Sequence, residues 1–431
     1  MSDTTAVRSA TLTSSASEGL AFAALRNSTF RWYLLGTSTW MLGDNIEHVI
    51  SYWELFQQFQ SPILGGYAVI SHWLPFLVLA VWAGHLADRG DCRKLIVISQ
   101  VLFMAVSLGW AYLFLTNTLE VWHAVVLLAV HGFAGVIQLP ANQLVIHDIV
   151  GRDGFLSAVR TASLGRSLGI VLGPAIGGGL LVVLGPGWGM VANALIYLPL
   201  CIWAIRTPYT GHLHDEAGVP PARRDGIFSL LKSLRGAGGN PTILSMVVLA
   251  GATSFFVGNA FQAQMPEFAL DLGSDKQGAG YSTLLAAGAI GGFVGGILLE
   301  TIGALRPRAK TAIICACLWC VVIIGFALSS TYPMALTFLF LGGFLNLAVT
   351  SMAQTLVQLE APPNLRGAMI GLLSASQSGL RVGSGITVGA LGGFIGIHSS
   401  LVASATVLLI ITLGLLWYTQ QEQPTEAAAS S

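Results

Sequence analysis

Between two long apolar runs the chain reads Gly84-His85-Leu86-Ala87-Asp88-Arg89-Gly90-Asp91-Cys92-Arg93-Lys94. Five charges crowd into these few positions, flanked by segments with almost none. A loop of this kind stays on the membrane face where Lys and Arg are retained, the cytoplasmic one. Small residues before it let two helices approach closely, and an acid at a helix end can bridge to a neighbouring helix terminus. The stretch reads as a hinge-and-latch loop of a polytopic membrane protein.

The rest of the chain agrees with that reading. Of its 431 residues, 54% are hydrophobic and only 9% charged, with a mean hydropathy of +0.72. Soluble domains carry about 25% charged residues, so a soluble globular protein is excluded. The formal net charge is zero, which argues against a nucleic-acid partner. Five cysteines make no even extracellular framework. Cys315, Cys317 and Cys320 fall inside an apolar helix and read as small packing residues, so no metal is expected.

Twelve stretches have the ~20 mostly apolar residues that a membrane-spanning helix needs. They centre near Gly43, Leu74, Met104, Gly132, Leu172, Ala194, Ser254, Ala289, Cys320, Phe344, Val382 and Leu408. All but three of the 20 Lys and Arg lie in the amino-terminal arm, in even-to-odd loops or at their helix ends. The exceptions are Arg166 and Arg381, inside spans, and Lys276 in an odd-to-even loop. Both termini are therefore expected in the cytoplasm.

The implied organisation is an all-α membrane protein of twelve helices in two pseudo-symmetric six-helix bundles. A disordered cytoplasmic arm occupies 1–28, the bundles 29–205 and 242–419, a cytoplasmic linker 206–241 and a cytoplasmic tail 420–431. Within the linker, Ile227, Leu230, Leu231 and Leu234 recur at helical spacing beside Lys232 and Arg235. A short helix on the inner leaflet and a plain linker fit this pattern equally well. The halves echo one another: Gly84 and Asp88 before a basic loop match Gly296 and Glu300 before Arg306-Pro307-Arg308. Likewise Ser163-Leu164-Gly165-Arg166 matches Ser378-Gly379-Leu380-Arg381. Such symmetry accompanies alternating access around a midplane site.

With these residues in view, the chain resembles the major facilitator superfamily over about residues 28–420. Within it, it looks like the proton-antiporter subgroup that holds the enterobactin exporter and several multidrug exporters. Gly84, Leu86, Ala87, Asp88, Arg89, Asp91, Arg93 and Lys94 match the subgroup's loop pattern, with Cys92 where a further Arg is usual. Gly169-x-x-x-Gly173-Pro174-x-x-Gly177-Gly178 is similar to the antiporter motif of exporters, although Arg160 replaces the Gly expected nine residues earlier. Pro140-Ala141, Met265-Pro266 and the turn from Pro362 to Arg366-Gly367 are further matches. The resemblance implies two six-helix bundles rocking about a central cavity. In that scheme Gly84, Asp88, Arg89, Asp91 and Arg93 form a gating latch, with Asp88 facing the start of span eleven; pairing of Asp88 with Arg93 is the alternative.

Span one carries Asp44, Asn45, Glu47, His48 and, further on, Glu54. Asp44, Glu47 and His48 share one helix face, and ionisable groups at membrane depth face a cavity or a partner. Asp44 first, then Glu47, with His48 beside them, are the candidates for proton coupling. A fixed pairing of Asp44 with an arginine is the competing reading, with Arg166 and Arg381, one per half, as the natural partners. Those arginines could instead contact an anionic or polar substrate, or snorkel to the inner surface. Asn45, Gln138, Asn142, Asn259, Gln262, Asn346 and Gln377 could line the same cavity, although singly each reads more readily as a helix-to-helix hydrogen bond. His131 reads as a buried packing residue. Trp32, Trp53, Trp122, Trp188 and Trp417 sit where interfacial anchors do.

The leading expectation is a secondary exporter in the inner membrane, a monomer exchanging a small amphiphile (siderophore, antibiotic or drug) for protons. A lysophospholipid flippase and an uptake symporter are alternatives, as is, from another class, a non-transporting sensor or scaffold. No Gly-x-x-x-x-Gly-Lys-Ser/Thr loop is present, no cofactor is implied, and the Asp44–His48 cluster lacks a nucleophile arrangement or metal-ligand set. An enzyme is not expected.

Overall fold

A computed structural model of the chain describes residues 23–213, 240–274, 278–302, 308–362 and 365–422. Most of the expected arm, the linker stretch 227–234 with its candidate interfacial helix, Lys276, Arg306-Pro307 and the end of the tail lie outside the described residues. Residues 23–27, which the sequence assigns to the disordered arm, are packed instead. Ala23–Arg26 forms a 3₁₀ turn in which the Ala24 amide donates to Ser157 Oγ at 3.2 Å and Asn27 Nδ2 to the Ile149 carbonyl at 3.0 Å.

Among the described residues the chain is helical throughout, and eight helices are long and apolar enough to cross a membrane. A ninth is span two, Pro62–Val78 plus Ala80–Arg89, bent by 56°. The bend follows from Pro75, which lacks the amide that would bond back to Ser71. The other expected passages are helical but atypical. Ser28–Phe59 has 32 residues, long enough to cross, yet carries Asp44, Asn45, Glu47 and His48 at its middle. Ser157–Arg206 is a single run broken at Gly185 (φ +74) just before Pro186, which turns it back as spans five and six. Span eleven is segmented: Arg366–Gly379, Val382–Ser384, a π-helical turn Gly385–Ala390, then Leu391–Ile395.

Helix ends obey local chemistry. Asn27 Oδ1 accepts the Thr29 and Phe30 amides, Ser61 Oγ the Leu64 amide, and Asp91 the Arg93 amide, each closing orphan donors of a first turn. Gly151 (φ +66) turns the chain out of span four, Val121–Gly151.

One buried cluster lies within the N-terminal half (Phe30, Phe103, Trp203) and another within the C-terminal half (Ile243, Met246, Leu372). A third, with Ile46, Trp110, Phe268 and Leu408, crosses both. Large apolar side chains such as Val183 and Phe394 are 80% exposed, as a lipid-facing belt requires. Trp32, Trp122, Trp188 and Trp417 belong to that belt. Trp53 does not: it is buried and stacks on Tyr281 with ring centroids 5.5 Å apart, because it faces the other half rather than lipid.

The two halves meet at the end of the molecule near Ser61. Gln264 Nε2 donates to the Pro62 carbonyl at 2.8 Å, Gly66 lies against Gly385 and Gly389, and Gly178 against Ser282. Contact continues through Trp73 and Arg381 to Leu77 and Gly379. Beyond the bend, Ala80–Arg89 packs on its own half, chiefly Val121–Ile196.

Candidate functional site

Asp44 and Glu47 project from the same face of span one toward His131 in span four. His131 Nε2 is 2.9 Å from Asp44 Oδ1, and Nδ1 is 2.7 Å from Glu47 Oε1. The Ser107 hydroxyl, from span three, donates to Glu47 Oε2 at 2.6 Å, and Asn193 Nδ2, from span six, donates to Ser107 Oγ at 3.1 Å. Four spans thus converge on one buried polar chain. The arrangement constrains hydrogen count. A ring nitrogen can face a carboxylate oxygen only with a hydrogen between them, so the three groups share two protons. They form either an imidazolium between carboxylates or a neutral ring with one carboxylic acid, with the same net charge.

His48 and His72 complete the group. His48 Nδ1 is 3.7 Å from Asp44 Oδ2, and its ring lies 4.9 Å from those of both His72 and His131. Small residues make this approach possible: Gly132, next to His131, lies directly on the Ser71 carbonyl and 3.1 Å, by the place of a Cβ, from the His72 Cα. Phe103 meets the His131 ring edge-on at 4.9 Å and Tyr197 stacks on Phe103, which excludes water from that side.

His131 is therefore no mere packing residue; it bridges the two acids. The rule that intramembrane ionisable groups need partners applies to His131 as to Asp44, and would have found it. His72, within span two, carried the same signal, whereas Ser107 and Asn193 did not. Neither arginine partners Asp44. Arg166 lines a separate cleft with Tyr33, Thr37, Trp40 and Asn142, while Arg381 places its guanidinium carbon 4.5 Å from the centre of the Trp73 ring, a cation–π contact between the halves.

The remaining polar candidates disperse. Asn45 bonds back to the Met41 carbonyl at 2.8 Å and packs against Gly173, a helix-to-helix contact away from the cavity. Gln138 is buried between Gln100 and Asn142. Asn259 follows Gly258 (φ +48), the break in span seven, with its Oδ1 buried and unbonded among the described residues. Gln262 and Asn346 are exposed, and the Gln377 carbonyl accepts from Ser254 Oγ.

The chain matches the family model described as Major Facilitator Superfamily over residues 20–384. The chain belongs to the major facilitator superfamily. It is accordingly a multi-pass membrane transport protein, not an enzyme. A "Putative multidrug resistance protein MdtD" of Klebsiella pneumoniae (strain 342) is 31% identical over 134 residues, 31% of this chain and 27% of that protein. The same-named protein of Escherichia coli O81 (strain ED1a) is 28% identical over the same share. The chain thus matches about a quarter of the length of these relatives. Among solved structures, a bacterial homolog of the human lysosomal transporter Spinster, inward-facing and unoccupied, superposes with TM-score 0.70. It is 17% identical, covering 91% of this chain and 97% of that one. The nucleoside transporter NupG follows at TM-score 0.67 and 14% identity, over 90% and 98%. Both likenesses are of fold.

Two superfamily elements acquire a structure here. In the loop after span two, Arg93 grips Asp91 through Nε at 3.0 Å and Nη2 at 2.8 Å, and its Nη1 donates to the Thr207 carbonyl at 2.9 Å. Through that hydrogen-bonded guanidinium the Asp91 carboxyl is held below the usual aspartate range. Asp88 makes no hydrogen bond or ion pair with any described residue, so Arg93 is not its partner; Arg89 is exposed and Gly84 buried. Cys92 is fully buried, its amide donating to the Thr210 carbonyl at 2.8 Å and its Sγ lying under Gly211. An arginine would not fit there. The chain leaving span six is strapped down around it: Asp148 accepts the Gly211 and Leu213 amides at 2.6 and 3.0 Å, and His212 Nε2 lies 2.9 Å from the Ala87 and Gly90 carbonyls.

The glycine run of span five is a packing stripe. Gly165, Gly169, Gly173 and Gly177, four apart, lie on Ser38, Met41 and Leu42, Asn45, and Ile46 and Val49 of span one. Gly178, beside Pro174's turn of helix, faces Ser282 of span eight. The stripe sets the depth of span one, and with it the position of Asp44.

Proposed function

We propose that this superfamily member exports a small amphiphilic molecule in exchange for protons, by alternating access. The observation that carries the reading is the His131 bridge between Asp44 and Glu47. A shared-proton unit in the membrane interior, with His48 against the outer edge of Asp44, can take up and release a proton without leaving a carboxylate unpartnered. Arg166, beside Trp40 in its cleft, would hold the polar end of the cargo, and Arg381 with Trp73 would meet it once the halves part there.

The contacts between the halves, gathered at the Ser61 end, suit a conformation open at the Gly90 end. With basic loops at that end, this is the cytoplasmic side of an inner-membrane protein with both termini inside. The drug-resistance name of the partial relatives supports outward cargo of the multidrug kind. We take the monomer as the working unit.

The test uses proteoliposomes with an imposed pH gradient and two probes, ethidium and an iron-free catecholate siderophore. Asp44→Asn is expected to abolish gradient-driven accumulation of the transported probe while its equilibrium binding persists. Undiminished accumulation by that variant would remove Asp44 from coupling. Movement of lysophosphatidylcholine in place of either probe would reassign the cargo to lipid.

A further inference from the structure

We propose that Asp44, His48, His72 and His131 form a binding site for a divalent transition-metal ion of the zinc class. The inference uses residues of the proposed coupling site but does not depend on coupling, because it concerns binding at equilibrium.

Four observations carry it. First, one potential ligand atom from each of the four side chains lies within 4.8 Å of every other. Around a tetrahedral ion with bonds near 2.0–2.2 Å, donors stand about 3.3 Å apart, so closure needs movements of roughly 1.5 Å or less. Rotation of imidazoles about their side-chain torsions supplies that. Second, three imidazoles and one carboxylate are the donor set that borderline metals such as Zn²⁺ and Co²⁺ take, and one that Mg²⁺ and Ca²⁺ do not.

Third, the supporting shell is already built. A metal-binding histidine presents one nitrogen to the ion and its other N–H to a carboxylate. His131 does this: Nδ1 is on Glu47 at 2.7 Å, Glu47 is itself fixed by Ser107, and Nε2 points at Asp44. Fourth, His72 Nδ1 is buried with no hydrogen-bond partner among the described residues, a lone pair or N–H left free for a ligand. Charge agrees with geometry. A dication beside the Asp44 and Glu47 carboxylates sums to zero, the balance a membrane interior favours. Asp44, His48 and His72 keep partial exposure, which leaves a way in. Sequence spacing hid the set because its members come from three spans.

The experiment titrates the full-length protein in detergent, stripped with chelator, with Co²⁺ alone, reading visible ligand-field absorption, then displaces it with Zn²⁺. Expected is one saturable Co²⁺ per chain with nitrogen and oxygen donors. Affinity should fall at least tenfold in His48→Ala and in His72→Ala, and 10–100-fold in Glu47→Gln, while His398→Ala, at an imidazole held instead by the Ala327 carbonyl and Asp271 in the other half, leaves it unchanged. His48→Gln and His72→Gln, which keep side-chain bulk, replace any alanine variant that does not purify as a monodisperse species. No saturable site, thiolate bands from the cysteines, or equal affinity in the His48 and His72 variants would overturn the proposal. Since no gradient is applied, failure here leaves the Asp44→Asn transport result to speak for itself.

Discussion

The imidazole of His131 joins Asp44 at 2.9 Å across 87 positions of chain, tying span four to span one at the depth where the protein is least able to tolerate a lone charge. His131→Ala would leave Asp44 and Glu47 facing each other without the ring between them. Breaking a buried ionic arrangement by removing one partner costs about 3–5 kcal/mol. We expect a large drop in melting temperature in detergent, smaller for His131→Gln. A melting temperature equal to the wild type's would mean that the bridge contributes nothing to folding.

The glycine stripe gives a paired prediction. A Cβ at Gly173 would land on Asn45, whereas Gly179, on the exposed side of the same helix, has nothing within 4 Å. Gly173→Ala should destabilise by about 1–3 kcal/mol through overpacking. Gly179→Ala should be neutral or stabilising by up to about 1 kcal/mol, because alanine favours the helix. Thermal unfolding of the two variants side by side decides the matter; matching losses would refute the stripe.

Asp88 is without a partner among the described residues in this conformation. If it latches span eleven in the opposite conformation, Asp88→Asn removes an attraction present only there, on the order of 0.3–1 kcal/mol. Cysteine reporters placed along 366–379 should then label faster from the Gly90 side. Identical labelling rates in wild type and variant would retire the latch.

Asp91 supplies a pH signature. Its carboxyl is held below the ordinary aspartate range by Arg93, so the unfolded chain binds the proton more readily than the folded one. The stabilisation is complete above the unfolded value near ~3.9 and disappears as pH falls through the lower folded value. Asp91→Ala should cost about 1 kcal/mol at neutral pH, including the lost cap on the Arg93 amide. The gap from wild type should narrow on acidification below about pH 4. A gap that widened in acid would contradict the assignment.

What could be read from the residues, and what could not, divides along physical lines. The apolar lengths and the placement of Arg and Lys carry the multi-pass architecture, because lipid admits few alternatives to helices. Asp44 and Glu47 stood out because charge at membrane depth is rare. Their partner was marked by the same rule, but which acids His131 would meet was not legible, because its contacts depend on how span four rotates. Arg166 and Arg381 looked like counter-ions by type alone; position along the helix sends one to a separate cleft and the other onto Trp73. Pro75 and the π-turn at Gly385–Ala390 are departures from ideal helix that periodicity does not register. Asn45 was misplaced for a related reason, one helical step turning it from the cavity to Gly173.

Where Gly66 meets Gly385 and Gly389, the seal is made of peptide backbone, with no ion pair there among the described residues. Parting there would let water onto carbonyls that welcome it and would strip no charge of a counter-charge. If the molecule alternates as proposed, such a seam would open at small net cost and re-form as readily, so a modest push from cargo or cation would suffice to tip one pose into the other.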